Sequence, residues 1–72
     1  MDKTTIGFNA GTVWALLCDN NRWSYNDLKQ KSGLNDLELG VAIGWLAREN
    51  KIEIENDQGQ LFLFLNVNVY IG

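Results

Sequence analysis

The stretch SYNDLKQKSGLNDLELGVAIGWLARENKIEIEN, residues 24–56, carries the signals for two helices joined by a tight turn. Ser24 is followed three positions later by Asp27, which is the spacing of a capping box with aspartate in place of glutamate. Gly33 then supplies a residue that readily adopts the left-handed conformation favoured after a helix. The sequence therefore predicts a short helix over residues 25–32 that ends in a glycine turn.

A longer helix and the first strand of a hairpin follow this turn. Asn35 and Glu38 have the spacing of a second capping box, and Asn50 is a candidate left-handed stop. These signals predict a helix over residues 36–49. Residues 51–55, KIEIE, alternate between charged and apolar side chains, which is typical of a half-buried strand.

The second strand of the hairpin is unusually long. The turn sequence DQGQ at residues 57–60 is followed by an apolar run at 61–71 that predicts the returning strand. Because apolar side chains occupy much of both faces of this strand, it should be covered twice or pair beyond its own hairpin. The candidate covers are an N-terminal strand at residues 4–8, slightly preferred, and a second copy of the chain.

The N-terminal third supplies the remaining elements. Residues 4–8 are extended in character, and Asn9 can cap a helix over residues 10–18. A short extended piece at 22–23 precedes the second helix. The order helix, short strand, helix, helix, strand, strand is typical of a winged helix-turn-helix. We expect one α+β domain over residues 1–72, with three helices, a C-terminal β-hairpin wing and the added N-terminal strand.

Composition narrows the classes of function. The 72 residues include no histidine and one cysteine. Without histidine the usual zinc sites and the usual general base near neutral pH are missing, and no glycine-rich phosphate loop follows a strand. Cys18 has no cation beside it in the sequence, so we expect a thiol in the core or at its boundary. The sequence predicts a non-enzymatic protein with no cofactor, no metal and no small-molecule substrate.

Export and membrane signals are also missing from the sequence. The first residues, MDKTTIGF, lack the apolar run of a signal peptide. No segment approaches the ~20 apolar residues of a spanning helix. We therefore expect a cytoplasmic protein without a membrane partner.

Several runs of sequence resemble known families. The run LKQKSGLN at residues 28–35, with NKI at 50–52, resembles the winged-helix pattern of bacterial regulators. NAG at 9–11 and GWLARE at 44–49 are similar, more closely, to a family of small stand-alone winged helix-turn-helix proteins of bacteria. The similarity covers about residues 6–65. It implies the fold, and it implies little about activity because that family carries no established biochemical role.

The third helix has two apolar faces. At about 100° per residue, one face should form the core contact. Its residues are Leu39, Ala42, Ile43 and Leu46. The opposite face, called the outer strip below, consists of Leu37, Gly40, Val41, Gly44, Trp45 and Arg48. A glycine inside a helix costs roughly 1 kcal/mol relative to alanine, and close approach by another element would offset that cost.

The outer strip predicts contact with another protein, a second copy of the chain included, because exposed apolar strips commonly mark association surfaces. One alternative is that Leu37 and Trp45 are covered by the N-terminal segment or the long last strand of the same chain. Another is a small apolar ligand held between the third helix and that strand.

The acidic charge of the chain argues against DNA, the partner most often associated with this fold. The chain has a net charge of −3, and residues 35–60 hold six acidic residues against Arg48 and Lys51, a formal charge of −4. A specific DNA interface commonly neutralises about six to ten phosphates. The alternative function, a DNA-binding transcriptional regulator, would have to use Lys29, Lys31, Asn35, Arg48 and Lys51.

Overall fold

A computed structural model describes residues 1–66 of the chain, and within that part the predicted order of elements is confirmed. Three helices precede a two-stranded wing, and a short strand lies between the first two helices. The elements are α1 Lys3–Leu17, β1 Trp23–Ser24, α2 Tyr25–Ser32, α3 Asp36–Arg48, β2 Ile52–Asp57 and β3 Gln60–Leu65.

The predicted N-terminal strand at residues 4–8 is wrong, because these residues form the first turns of α1. The helix is capped by Asp2, whose carboxylate accepts a hydrogen bond of 2.8 Å from the Thr5 backbone N–H. Threonine, isoleucine and glycine have weak helix propensity, but tertiary packing overrides it. Ile6 lies half-buried at helical spacing before the buried Ala10, and burial of this face favours the longer helix.

The helix-turn-helix follows the local signals in the sequence. The Ser24 hydroxyl accepts from the backbone N–H of Asp27, and Gly33 has φ of 74°, which is the left-handed region. At the start of α3, the side chains of Asn35 and Glu38 each accept a hydrogen bond from the other's backbone N–H. These contacts confirm the predicted positions of α2 and α3.

The three strands form an antiparallel sheet with β3 in the middle, in the order β1-β3-β2. β3 pairs along its whole length with β2, from Ile52 opposite Leu65 to Asp57 opposite Gln60. Its other edge pairs with β1, where Trp23 lies opposite Leu63. The neighbour of β3 is therefore β1 and not an N-terminal strand. The prediction that the strand continues to residue 71 falls on residues 67–72, outside the described residues.

The core lies where the three helices meet the inner face of the sheet. Its fully or nearly buried apolar residues are Ala10, Val13, Leu17, Leu28, Leu39, Ala42, Ile43, Leu46, Ile52 and Leu63. Every element except the two-residue β1 contributes at least one of them. No helix in the described part of the chain is long and apolar enough to cross a membrane.

Candidate interaction surface on the third helix

The orientation of α3 is set by its inner face. Leu39, Ala42, Ile43 and Leu46 are between 0% and 5% exposed, as the helical periodicity predicts. Since α1 packs against this same side, the opposite side of α3 is turned away from the core. Burial of the inner face of α3 therefore turns the outer strip toward solvent.

The outer strip is open to solvent in the described structure. Leu37 is 67% exposed and Trp45 is 43% exposed, while Val41 is half-buried. Gly40, Gly44 and Arg48 are also exposed. The residues proposed from sequence do share one outward face, and their role as an interface stays a prediction.

The two glycines of the strip have no intramolecular neighbour that explains them. A Cβ atom built on Gly40 or Gly44 would meet no atom within 4 Å, apart from the helix's own nearby backbone. Neither residue has the positive φ that would require glycine. Among residues 1–66 nothing approaches the helix closely enough to need these glycines, so the cost of placing them in α3 is not offset within that part of the chain.

The suggestion that the N-terminal segment covers the strip is wrong. That segment is part of α1, whose buried residues belong to the same core as the inner face of α3. The suggestion that the end of the last strand covers the strip falls on residues 67–72, outside the described residues. Within residues 1–66, Leu37 remains largely uncovered and Trp45 remains partly uncovered.

Asp36, in the first turn of α3, is contacted by two side chains of α2. The Asp36 carboxylate accepts a 2.6 Å hydrogen bond from the Tyr25 hydroxyl and lies 3.1 Å from the Lys29 ammonium. The Tyr25 hydrogen bond, and after it the Lys29 contact, lower the pKa of Asp36. The same hydrogen bond raises the pKa of Tyr25, because the phenol proton is held by a carboxylate. This cluster links α2 to α3.

Three of the five residues available for DNA contact are occupied within the domain. Lys29 pairs with Asp36, and the Asn35 amide oxygen caps α3. The Lys51 ammonium lies 5.5 Å from the centre of the Trp14 ring, a cation–π distance. Lys31 and Arg48 are exposed. The cationic groups of Lys29 and Lys51 thus already have contacts within the domain.

The fold and the sequence together decide the family. A model of the winged helix-turn-helix domain family DUF2582 matches residues 1–65. The chain belongs to this family. The resemblance proposed from the sequence is thereby confirmed, and the winged-helix description concerns the fold and names no activity.

A solved structure of a bacterial protein has the same architecture. The solution NMR structure of protein BT2368 from Bacteroides thetaiotaomicron is 36% identical in sequence, with a TM-score of 0.85. The alignment covers 100% of this chain and 88% of that one. No curated protein gives a significant match.

The wing of this DUF2582 domain holds a contact that sequence reasoning missed. Arg22 donates to the carboxylate of Glu55, lies 3.3 Å from an oxygen of Asp57, and stacks 3.7 Å from the centre of the Phe62 ring. Thirty or more residues separate Arg22 from these partners, so only the strand register brings them together. Two of the wing's acids are thus engaged by a cation on the same domain.

Two further residues differ from the sequence expectation. Cys18 is exposed at the C-terminus of α1 and does not lie in the core or at its boundary. The helix ends at Leu17, so the following residue caps it and faces solvent.

Phe8, assigned from sequence to a strand, lies on the outer face of α1 and is 78% exposed. The i, i+4, i+7 and i+11 spacing of Ile6, Ala10, Val13 and Leu17 was the available signal.

In the described part of the chain, the surface depressions that could hold a small ligand are shallow. A depression of ≈ 280 Å³ is lined by Ser24, Tyr25, Asn26, Gly59, Gln60 and Leu61, none of which belongs to α3. Within residues 1–66 no group of three acidic or cysteine side chains could hold a metal ion.

Proposed function

We propose that this DUF2582 domain is a non-enzymatic module that works through protein–protein contacts made by the outer strip of α3. The observation that carries the proposal is the exposure of Leu37 and Trp45, beside two glycines that no described part of the chain approaches. Apolar patches of this kind mark association surfaces because their burial removes hydrocarbon from water.

The position of the strip strengthens this interpretation. In a DNA-binding helix-turn-helix the second helix of the motif reads base edges with polar and basic side chains. Here α3 presents leucine, valine, tryptophan and glycine on that face, with Arg48 near its end. Aromatic residues and arginine are the types enriched in protein interfaces.

A non-enzymatic role is supported by the residues that the chain lacks. The chain contains no histidine, and Cys18 is an exposed helix cap. The shifted pKa values belong to groups in helix caps, turns, surface ion pairs and the Tyr25–Asp36 link, which are structural roles. Contacts with another macromolecule account for the strip without a reaction.

A site-specific photo-crosslinker tests the proposal in the cells that naturally produce the chain. We expect a crosslinker at Leu37 to form a discrete protein adduct, which can be either a dimer or a complex with another protein. The matched control is a crosslinker at Gln30, an exposed position on α2 outside the strip, where no such adduct should form.

A second substitution then shows whether the adduct depends on the strip. Val41→Glu places a charge inside the strip and should abolish the Leu37 adduct, whereas Gln30→Glu adds the same charge elsewhere and should leave it unchanged. Equal adducts at both crosslinking positions, or an adduct that survives Val41→Glu in folded protein, would refute the proposal. Nucleic acid as the main adduct would favour the DNA-binding alternative.

A further inference from the structure

The outer strip is arranged so that it can pack against a copy of itself. Reversing the direction of α3 about the midpoint between Val41 and Gly44 places Val41 level with Gly44 of the other helix. It also places Gly40 level with Trp45, and Leu37 level with Arg48. At the centre of the strip the Val41 side chain thus lies level with a glycine of the other helix, where the missing side chain lets the two backbones approach.

Two charged groups on α3, Glu38 and Arg48, have no ion-pair partner within the described part of the chain. The Arg48 guanidinium makes no ion pair or side-chain hydrogen bond with any of residues 1–66. Glu38 uses one oxygen, Oε1, to accept from the Asn35 backbone N–H, and its Oε2 has no such contact. Ten residues of helix separate the two groups, about 15 Å along the axis, so they cannot meet within one helix.

Charge selects the direction in which two copies would pack. In an antiparallel pair, Arg48 of each helix lies beside the acidic first turn of the other, where Asp36 and Glu38 are located. In a parallel pair the two acidic first turns would meet each other, and like charges at an interface are unfavourable. The antiparallel arrangement also places the two acidic wings at opposite ends.

We propose that the occupant of the outer strip is a second copy of this chain, with the two α3 helices packed antiparallel about a two-fold axis. This inference rests on the proposed function and specifies its partner. A two-fold contact is self-complementary, which is what the reversed strip offers. One helix face per copy is a small interface, below the ~1,200 Å² total of stable complexes, so the dimer is weak and reversible.

The molecular mass in solution tests the proposal. Sedimentation equilibrium should show a mass near the monomer value of 8.2 kDa at low concentration. The mass should rise toward twice that value as the concentration approaches about 1 mM. A mass that stays at the monomer value throughout would overturn self-association.

Glycine substitutions locate the contact. Gly44→Ala adds a methyl group that the monomer accommodates, since no neighbouring atom of the same chain lies within 4 Å of the place that the methyl carbon would take. In the dimer that methyl group meets the other helix, and we expect association to weaken about tenfold or more. Gly11→Ala is the matched control because Gly11 is also helical with open space around it. Equal association by both variants would overturn the proposed contact.

Charge reversal tests the direction of packing. Arg48→Glu alone should weaken association about tenfold. It places the new carboxylate beside the acidic first turn of the other helix, at both ends of the antiparallel interface. Combining Arg48→Glu with Glu38→Lys should restore association, with circular dichroism checking that α3 stays folded. A double variant that associates no better than Arg48→Glu alone would overturn the antiparallel arrangement.

The outcomes separate this inference from the proposed function. A monomer at every concentration, together with a Leu37 adduct to a different protein that Val41→Glu abolishes, refutes the homodimer and keeps the protein-contact function. A monomer without any strip-dependent adduct refutes both. A dimer that forms equally after Gly44→Ala and Val41→Glu uses another surface and refutes the α3 homodimer; the proposed function then stands only if Val41→Glu abolishes a Leu37 adduct to a different protein.

Discussion

Asn66 shows how a single buried polar side chain can hold the base of the wing. It is 7% exposed, and its amide nitrogen donates to the backbone oxygen of Asn50 at 3.2 Å and to the Asn50 side-chain oxygen at 3.1 Å. Its backbone N–H donates to the Lys51 oxygen. Asn50 has φ of 60°, so Asn66 stabilises the left-handed turn that joins α3 to β2.

We predict that Asn66→Ala destabilises the fold. The substitution removes both side-chain hydrogen bonds and leaves the Asn50 oxygens without that donor, which should lower the free energy of unfolding by about 1–3 kcal/mol. Urea denaturation followed by tryptophan fluorescence measures the change. The control is Asn56→Ala on the exposed face of the wing, which should change stability by less than about 0.5 kcal/mol. Equal effects of the two substitutions would contradict the role given to Asn66.

The hydrogen bond between Tyr25 and Asp36 makes stability depend on pH at both extremes. The folded Asp36 carboxyl has a pKa below its ordinary 3.8, so its contribution is present above that pH and is lost as the pH falls through the lowered value. The folded Tyr25 phenol has a pKa above its ordinary 10.0, so its contribution is full below that pH and is lost as the pH rises through the raised value.

Tyr25→Phe should therefore lower stability most between about pH 4 and pH 10. As the pH falls through the lowered pKa, Asp36 becomes protonated in both proteins, and as it rises through the raised pKa, Tyr25 ionises in the native protein, so the difference in stability shrinks at both extremes. An NMR titration should also show the pKa of Asp36 moving up toward 3.8 in the variant. An unchanged pKa of Asp36 would show that the hydrogen bond does not form in solution.

At the scale of elements, the sequence predicts α2, α3 and the wing well because their ends carry local signals. Ser24, Gly33 and the Asn35–Glu38 capping box act within three or four residues, so they can be recognised without the rest of the fold. The sequence places the start of α1 too late because Thr4 and Thr5 have poor helix propensity. What lengthens that helix is burial of the face that begins at Ile6, and the apolar spacing from Ile6 to Leu17 is the sequence signal that outweighs the propensity.

The glycines of the helices give an element-scale prediction. Gly40→Ala and Gly44→Ala, measured at a concentration where the protein is monomeric, should each raise the free energy of unfolding by about 1 kcal/mol, because alanine has the higher helix propensity. Gly33→Ala should instead lower it by about 1–2 kcal/mol, since that residue has φ of 74° and alanine is strained there. Circular dichroism during urea unfolding measures all three. Destabilisation by the α3 substitutions would mean that part of the chain packs against the strip.

At the scale of the whole molecule, the periodicity of α3 predicts which residues of the candidate site face outward. It does not predict which of the basic residues are free. Lys29 and Arg22 find acidic partners only after α2 meets α3 and the wing register is set. These pairings depend on contacts between distant residues, and local sequence patterns do not specify them.

The same charges predict that this winged-helix domain does not bind duplex DNA at physiological salt. α3 and the wing lie within residues 35–60, which carry a formal charge of −4, and Lys29 is held by Asp36. Non-specific DNA binders typically show dissociation constants of about 10⁻⁴ to 10⁻⁶ M at such salt. Fluorescence anisotropy with a random duplex should therefore show no saturable binding at about 100 µM protein. Binding that weakens steeply with added salt and is lost in Lys31→Glu would instead establish a DNA-contacting face, because both results require phosphate contacts made by the free lysine.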